Sequence, residues 1–307
     1  MKKLHDYLMK LSLYRSSIKL AEKVVLPGFN GLPLFDVIVF FNKKIQTSDL
    51  TMRASALSFS FFLALFPGVI FLFTLIPYIE IQGIDFQYEL FALLNLFLPE
   101  STFETTSETL NDIINQPRGG LMSFGFIMAL FLSTNGINAM IDSFNKSYHT
   151  KETRNYLRQR LVALGLNMVL VLLLFACIIL IVVGQVLLNE FGDYIFQYDI
   201  ITYYVVIFSR WVIIIALLLF SISILFYYGP AVKKKWRFIS VGATMSTILS
   251  IITSIAFAYY INNFGQYNKL YGSIGTLMVI MVWIYLNSLI ILIGFDLNAS
   301  IFQQEKE

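Results

Sequence analysis

The sequence has little charge, a single cysteine and two histidines. Lysine, arginine, aspartate and glutamate together make up 13% of the 307 residues, against roughly 25% in an average soluble domain. Because Cys177 stands alone, an intrachain disulfide is excluded. His5 and His149 lie on separate segments, and neither has the spacing of a metal-ligand pair. These shortages exclude a disulfide-stabilised domain and leave a metal-dependent nuclease without its usual ligands.

Motifs of catalysis and of secretion are also missing. No Gly-Lys-Ser/Thr phosphate loop is present, so the sequence does not support an ATP-driven pump. The serine and threonine hydroxyls lie mainly in apolar stretches without a nearby histidine to activate them. We therefore predict a non-enzymatic protein without a metal or cofactor. No short apolar stretch with a small-residue cleavage site stands at the N-terminus, so the first spanning helix is expected to act as its own insertion signal.

Long apolar runs dominate the rest of the chain. Hydrophobic residues make up 57% of it, and roughly 20 helical residues cross a hydrocarbon core of about 30 Å. Since a chain of this length cannot bury six helices that are apolar on every side, and the runs do not alternate as barrel strands do, we predict an all-α, polytopic membrane protein with a six-helix bundle. The predicted spans are 54–79, 119–141, 161–189, 202–228, 238–264 and 270–295.

The segments between these runs alternate in the sign of their charge. Basic residues dominate before the first run and after the second and fourth, whereas acidic residues dominate after the first and third. Because lysine and arginine are retained on the cytoplasmic side, we predict that both termini are cytoplasmic, with a transmembrane domain at 51–302 and a cytoplasmic tail at 303–307. The basic residues are then expected to contact anionic lipid headgroups. No soluble domain remains to bind nucleic acid.

Two segments outside the runs are predicted to be helical. Residues 1–50 are interpreted as one or two amphipathic helices on the cytoplasmic face. Residues 80–118 are long for a connection between spans and contain their own apolar stretch at 90–98. They are interpreted either as an extracytoplasmic helical cap or as an acidic excursion that serves only topology.

Small and hydroxylated residues mark faces of two helices. Four small residues recur every fourth position of the first run and predict a packing face, and Pro67 predicts a kink there. Hydroxylated residues cover a broad flank of the fifth run, which could line a wet cavity or bond to their own helix. The predicted packing residues are Ala56, Ser60, Ala64 and Gly68, with Gly272 and Gly275 near the last run.

Three ionisable residues interrupt or border the apolar runs. Arg210 either extends to the outer headgroups or faces inward and holds an anionic group. Arg53 and Asp296 both lie at the predicted inner boundary. They form either a structural ion pair or a site that moves protons or substrate.

Aromatic rings, amides and glycines are concentrated between the last two runs. The stretch from Tyr260 to Gly275, followed by Trp283, Tyr285 and Gly-Phe-Asp-Leu-Asn-Ala at 294–299, resembles the C-terminal signature of the YihY/BrkB family of bacterial inner-membrane proteins. Two other regions carry the same resemblance, which covers most of residues 45–302. They are Ala56, Leu57 and Phe59 followed by Leu-Phe-Pro at 65–67, and Asn145 and Tyr148 followed by 152–160.

The resemblance implies a six-helix inner-membrane protein. The family has been linked with envelope integrity, resistance to host killing and transport of lipids or solutes, and it long carried the label ribonuclease BN. The chain departs from the family pattern at Phe295, where a small residue is common, and at Phe61 and Phe62, which replace a more polar pair.

Two hypotheses for function remain open from the sequence. In the first, the protein is a transporter or lipid translocator whose path runs between the first, fifth and sixth helices. In the second, it is an envelope scaffold in which the same residues only pack the bundle, and the oligomeric state is not readable in either case. The candidate path residues are Arg210, Asn262, Asn263, Gln266, Tyr267, Asn268 and Tyr271.

Overall fold

The computed structural model describes residues 24–25, 33, 35–39, 41, 49–75, 119–148, 152–198, 200–231, 237–263 and 266–304. Every regular element that it names in these ranges is a helix, and six helices are long and apolar enough to cross a membrane. The prediction of an all-α membrane protein is therefore confirmed. The helices are α1 (Leu50–Leu75), α2 (Gly119–Ser147), α3 (Tyr156–Tyr198), α4 (Ile200–Tyr228), α5 (Val241–Asn263) and α6 (Gln266–Gln304).

Capping residues explain where several helices begin and end. Asp49 and Asn155 stand directly before α1 and α3, and their carbonyl oxygens accept the first intrahelical bonds. The Ser240 hydroxyl accepts a hydrogen bond from the Ala243 amide at the start of α5, as an N-cap residue does. Gly229 and Pro230 follow the last residue of α4, where neither favours continuation of the helix.

Two helices are much longer than their predicted spans. With 43 residues and 39 residues, α3 and α6 extend for about 65 Å and 58 Å, twice the thickness of a hydrocarbon core. The predicted sixth span ends at residue 295, whereas α6 continues past Asp296 to Gln304. The predicted boundary followed the end of the apolar run, but backbone hydrogen bonding continues through polar residues that are buried against neighbouring helices.

The helices contact one another in a cyclic order. Each helix packs on the next along the chain, from α1 to α6, and α6 packs back on α1. In addition, α6 reaches α2. This arrangement makes the first and last helices direct neighbours and places part of α6 against both.

Among the residues whose burial the structure describes, the buried core lies mainly at one end of the bundle. Phe144 of α2, Phe226 of α4 and Phe295 of α6 are fully buried. The rings of Phe295 and Phe144 stack with centroids 3.9 Å apart, and Phe226 meets Phe295 edge-on at 5.3 Å. We call this end, with its three phenylalanines, the core end, and the opposite end of the same helices the far end. The large phenylalanine at 295 therefore joins three helices at the core end.

The close approach of α1 and α2 depends on glycines of α2. A Cβ added to Gly136 would lie 2.8 Å from the Phe61 ring, and one added to Gly125 would lie 3.3 Å from the Pro67 carbonyl oxygen. The small-residue face predicted on α1 does not make this contact, since nothing lies within 4 Å of a Cβ built at Gly68 and Ala56 is exposed. Ser60 and Ala64 on that face are half-buried, and Gly275 of α6 is buried. Regular spacing of small residues shows where a backbone can approach, but it does not show which helix does so.

A short part of the N-terminal segment also packs at the core end. Residues 35–39 are helical, and Val37 is buried against Leu297 and Ile301 of α6. Most of the predicted N-terminal helices at 1–50, the whole predicted cap at 80–118 and residues 305–307 lie outside the described residues.

Candidate functional site

A buried ion pair joins α1 and α6 at the core end. Nη2 of Arg53 lies 3.1 Å from Oδ2 of Asp296, and the two side chains are 8% and 0% exposed. Nη1 of Arg53 donates to the Ser143 carbonyl oxygen and to the Ser147 hydroxyl, each at 2.8 Å. One guanidinium thus links α1, α2 and α6.

The second carboxylate oxygen of Asp296 is less well satisfied. Oδ1 of Asp296 is buried and has no hydrogen-bond partner in the part of the chain that the structure describes. The nearby Ser300 hydroxyl donates to the Asp296 backbone carbonyl instead. A buried polar atom without a partner is unfavourable by about 1–3 kcal/mol. Oδ1 of Asp296 is therefore a buried hydrogen-bond acceptor without a donor among the described residues, at a closely packed end of the bundle.

A second polar group, which we call the loop clasp, consists of Asn145, Glu152, Arg154, Gly229 and Ala231. Arg154 donates to both Glu152 oxygens, at 2.7 Å from Nε and 2.9 Å from Nη2. Its Nη2 also donates to the Gly229 carbonyl oxygen at 2.8 Å. Asn145 donates to Glu152 at 2.7 Å and accepts a hydrogen bond from the Ala231 amide at 2.8 Å. The clasp holds the connection between α2 and α3 against the end of α4.

The environment of Glu152 favours its charged form. Burial alone would raise the pKa of this carboxyl, but the hydrogen bonds and charge of Arg154, with the hydrogen bond from Asn145, together hold the pKa below its usual value. The clasp is therefore a charge-assisted contact at neutral pH.

The backbones of α5 and α6 touch where they cross. A Cβ at Gly242 would collide with the Gly294 carbonyl oxygen. Asn298 accepts from the Gly242 amide at 2.8 Å and donates to the Ser240 hydroxyl at 2.7 Å. Ser246 is fully buried and donates to the Ile290 carbonyl oxygen. Ser240 and Ser246 thus serve the contact with α6, while the Thr244 and Thr247 hydroxyls donate to the carbonyl oxygens of Ser240 and Ala243. These hydroxyls therefore bond within the protein, as the second interpretation of this flank expected.

The predicted path residues lie far from the ion pair. Arg210 is half-buried and stands near the start of the apolar window Phe208–Tyr228. It is 16 helical positions from Phe226, which corresponds to about 24 Å along α4. This position at the far end fits an arginine that reaches the headgroups as well as one that holds an anion there.

The amide and tyrosine candidates also belong to the far end. They lie on the last turn of α5 and the first turns of α6, so most of the predicted hairpin is helical and only residues 264–265 separate the two helices. Their side chains lie outside the described part of the structure. These residues are Asn262, Asn263, Gln266, Tyr267, Asn268 and Tyr271, with Gly272 on the following turn.

Sequence reasoning missed the asparagines that organise the core end. In the sequence, Asn145 and Asn298 stand out only through the family resemblance. In the structure, Asn145 accepts a hydrogen bond from the Ala231 amide beyond α4, and Asn298 accepts one from the Gly242 amide of α5. Asn167 of α3 likewise donates to the Ser133 hydroxyl of α2 at 2.7 Å. An amide inside or next to an apolar run was the available signal, because such a group must find a partner within the protein.

No group of three or more histidine, cysteine, aspartate or glutamate side chains that could hold a metal ion occurs among the described residues. The ionisable groups that the structure brings together are instead the Arg53–Asp296 pair and the loop clasp. Both groups hold opposite charges in contact within the protein.

Comparison with known proteins adds the family context. Residues 41–307 match the sequence model of the family described as virulence factor BrkB. YfkH of Bacillus subtilis (strain 168), named a ribonuclease-like protein, is 31% identical over 83% of this chain and 90% of its own length. A UPF0761 membrane protein of Tolumonas auensis is 22% identical over 85% of this chain and 84% of its own. The UPF0761 membrane protein MS0032 of Mannheimia succiniciproducens is 24% identical over 84% and 87%. No solved structure matches the chain significantly.

Proposed function

The chain belongs to the BrkB family of membrane proteins, and from that premise we propose that it transports a polar or anionic solute, or translocates a lipid, across a bacterial inner membrane. In this proposal both termini are cytoplasmic, and the core end faces the cytoplasm. The basic segments next to it then meet the anionic headgroups of the inner leaflet.

The buried ion pair between Arg53 and Asp296 is the observation that carries the proposal. A well-packed apolar pair of the same size is often as stable as a buried ion pair, or more stable. Ionisable residues inside membrane helices are accordingly rare and usually serve transport or binding. A pair that links the first and last helices, with one carboxylate oxygen left open, is better suited to breaking and reforming than to permanent support.

In the proposed path, the core end acts as the inner closure and the far end meets the cargo first. Arg210 and the amides and tyrosines at the junction of α5 and α6 would then contact an anionic headgroup or solute. Their common position at the far end supports this assignment. The path between α1, α5 and α6 passes along α6, which packs on both other helices.

An envelope scaffold is the alternative, and a specific observation favours it. The stacked phenylalanines, the loop clasp and the contact between Gly242 and Gly294 make the core end dense and extensively hydrogen-bonded. Such packing suits a rigid anchor for partner proteins as well as a closed gate.

We propose no ribonuclease activity for this chain. The word ribonuclease in the name of the Bacillus subtilis relative belongs to that protein. The predicted role of the basic segments in topology accounts for their charge.

Transport by the purified full-length protein in proteoliposomes tests the proposal. We expect scrambling of a fluorescent anionic phospholipid, or uptake of a radiolabelled organic anion, above the rate in protein-free vesicles. Arg210→Ala and Asn268→Ala should each lower that rate by about tenfold, the effect of losing one charge-assisted hydrogen bond.

Two matched variants serve as controls. Arg158→Ala removes an exposed arginine at the core end, and Asn287→Ala removes an amide that bonds only to its own helix in the described contacts. Both should transport at the parental rate. Full transport by folded Arg210→Ala and Asn268→Ala would remove the path assignment, and failure of the parent protein to move any tested lipid or anion would favour the scaffold.

A further inference from the structure

We propose that Asp296 is a proton-binding site that takes up a proton when an anion displaces it from Arg53, so that anion and proton are bound together. This inference rests on the proposed transport function and extends it, because it names the class of cargo and the ion that is coupled to it. Neither follows from the family match or from the presence of six spanning helices.

The contact between the two side chains is suited to exchange. A guanidinium can hold a carboxylate with two parallel bonds, and charge-assisted bonds of this kind measure about 2.7–2.9 Å. Arg53 instead makes one bond of 3.1 Å to Asp296, and its other nitrogen bonds to neutral groups of α2. An incoming carboxylate or phosphate that offers two oxygens can therefore compete for Arg53.

Burial then determines what happens to Asp296. The side chain is fully buried, and a carboxylate that loses its cation in such surroundings is strongly disfavoured. Binding a proton removes the charge. Oδ1, which has no partner among the described residues, is the oxygen that is free to receive it.

The charges balance through the cycle. Before exchange, the site contains one positive arginine and one negative aspartate. After exchange, it contains the arginine paired with the anion and a neutral, protonated Asp296. One negative and one positive charge have entered together, so the net charge of the site is unchanged, and release of both restores the original pair.

Other charged groups near α6 do not replace Asp296 in this role. On α6 itself, Asp296 is the only charged residue from Tyr271 to Gln304, and α5 carries none along its whole length. On α2, Asp142 and Lys146 are exposed. Burial raises the pKa of Tyr148, also at the core end, so this hydroxyl stays neutral over the working range. The charged residues described on the other segments next to α6 are Asp36, Asp49 and Arg237, which are exposed, and Arg53 of α1. Glu152 and Arg154, also at the core end, are paired with each other in the loop clasp.

Direct measurement of proton uptake on anion binding tests the inference. The probes are inorganic phosphate and a short-chain phosphatidylglycerol, added to the full-length protein in weakly buffered detergent solution with a pH indicator, while calorimetry records binding. We expect uptake of one proton for each anion bound. The affinity for the anion should weaken about tenfold for each unit of rise in pH, over the range in which binding takes up one proton.

Asp296→Asn is the informative variant, since the amide resembles the protonated acid. It should bind the same anions without proton uptake and with little dependence on pH. Ser300→Ala is the control, because it removes the neighbouring hydroxyl but leaves the carboxylate, and it should behave like the parent protein. The measurement on the unmodified protein stands even if Asp296→Asn fails to fold.

The outcomes distinguish this inference from the transport function. Anion binding by the parent protein without proton uptake, or equal uptake by folded Asp296→Asn, would overturn the inference. So would failure of both anions to bind the folded parent protein. In each case the proteoliposome assay of transport, which does not depend on protons, would still decide the broader function.

Discussion

Phe295 and Asp296 are adjacent in the sequence and have different environments. Phe295 stacks on an aromatic ring of α2 and meets one of α4 edge-on, while Asp296 faces Arg53 of α1. On a helix, neighbouring residues point about 100° apart, so two such residues can serve an apolar core and a polar contact on different helices. The core end therefore combines dense packing with a buried charge pair within one turn of α6.

Replacement of one partner of the ion pair should destabilise the fold strongly. Asp296→Ala leaves Arg53 as a buried cation, and we expect a loss of about 3–5 kcal/mol in the free energy of unfolding. The double variant Arg53→Met, Asp296→Leu removes both charges and should lie close to the parent protein or above it. Thermal or denaturant unfolding in detergent measures both, and equal losses in the single and double variants would contradict this account.

At the scale of the helices, close approach depends on a few glycines. The crossing of α5 and α6 leaves no room for a side chain at Gly242 or Gly294, and that of α1 and α2 depends on Gly125 and Gly136. Hydrogen bonds of the Asn298 side-chain amide then hold the start of α5 against α6. Helix pairs are thus held by shape and by polar contacts, since lipid provides no hydrophobic force between them.

Two glycine variants compare a glycine in a close helix contact with one at which a Cβ would meet open space. Gly294→Ala places a methyl group against Gly242 and Ser246 and should destabilise the protein by about 1–3 kcal/mol. Gly68→Ala meets open space, and its better helix propensity should leave stability unchanged or raise it by about 1 kcal/mol. The melting temperatures of both variants test this, and a similar loss at Gly68 would place that face in a contact between chains.

The loop clasp should weaken in acid. The pKa of Glu152 is lowered in the folded state. The clasp therefore stabilises the fold at any pH above the ordinary pKa of a glutamate, and this stabilisation is lost as the pH falls through the pKa of Glu152 in the folded protein. Unfolding of the parent and of Glu152→Gln, followed from neutral to acidic pH, should show a difference at neutral pH that shrinks in acid. Asp142→Asn, which removes an exposed carboxylate, is the control, and a difference independent of pH would remove the charge of Glu152 from the explanation.

At the scale of the whole molecule, the bundle has two unlike ends. The core end contains the ion pair, the stacked phenylalanines and the loop clasp, whereas the far end contains Arg210 and the junction of α5 and α6. About 24 Å of α4 separates Arg210 from the phenylalanines. A path across the protein would therefore have to connect the far end with the core end over this distance.

Single-cysteine labelling tests which end faces the cytoplasm. Cys177→Ala removes the one natural thiol, and cysteines can then be placed at the exposed positions Lys146, at the core end, and Tyr204, at the far end. In intact spheroplasts, a membrane-impermeant maleimide should label the cysteine at 204 and spare the one at 146. Inverted vesicles should show the opposite pattern, and reversed labelling would overturn the proposed orientation.

The number and type of helices were predictable because they depend on local properties. An apolar run longer than about 20 residues must be helical in a membrane, whatever surrounds it. The ends of the helices were harder to predict from the sequence, since α6 continues past Asp296 through residues that are buried only because of neighbouring helices. The small-residue spacing on α1 was likewise a local signal, and the structure places the close approach on the glycines of α2 instead.

The sequence by itself determined a helical membrane protein, with six spanning helices among the described residues and an uneven distribution of charge, because hydrophobicity and charge act on each segment separately. Only the tertiary structure decided that α6 returns to α1, that Phe295 joins α2 and α4, and that Arg53 meets Asp296 across 243 positions of chain. Those contacts depend on the rotation and crossing of whole helices. In lipid, side-chain shape and hydrogen bonding determine how the helices rotate and cross, because no hydrophobic force acts between them.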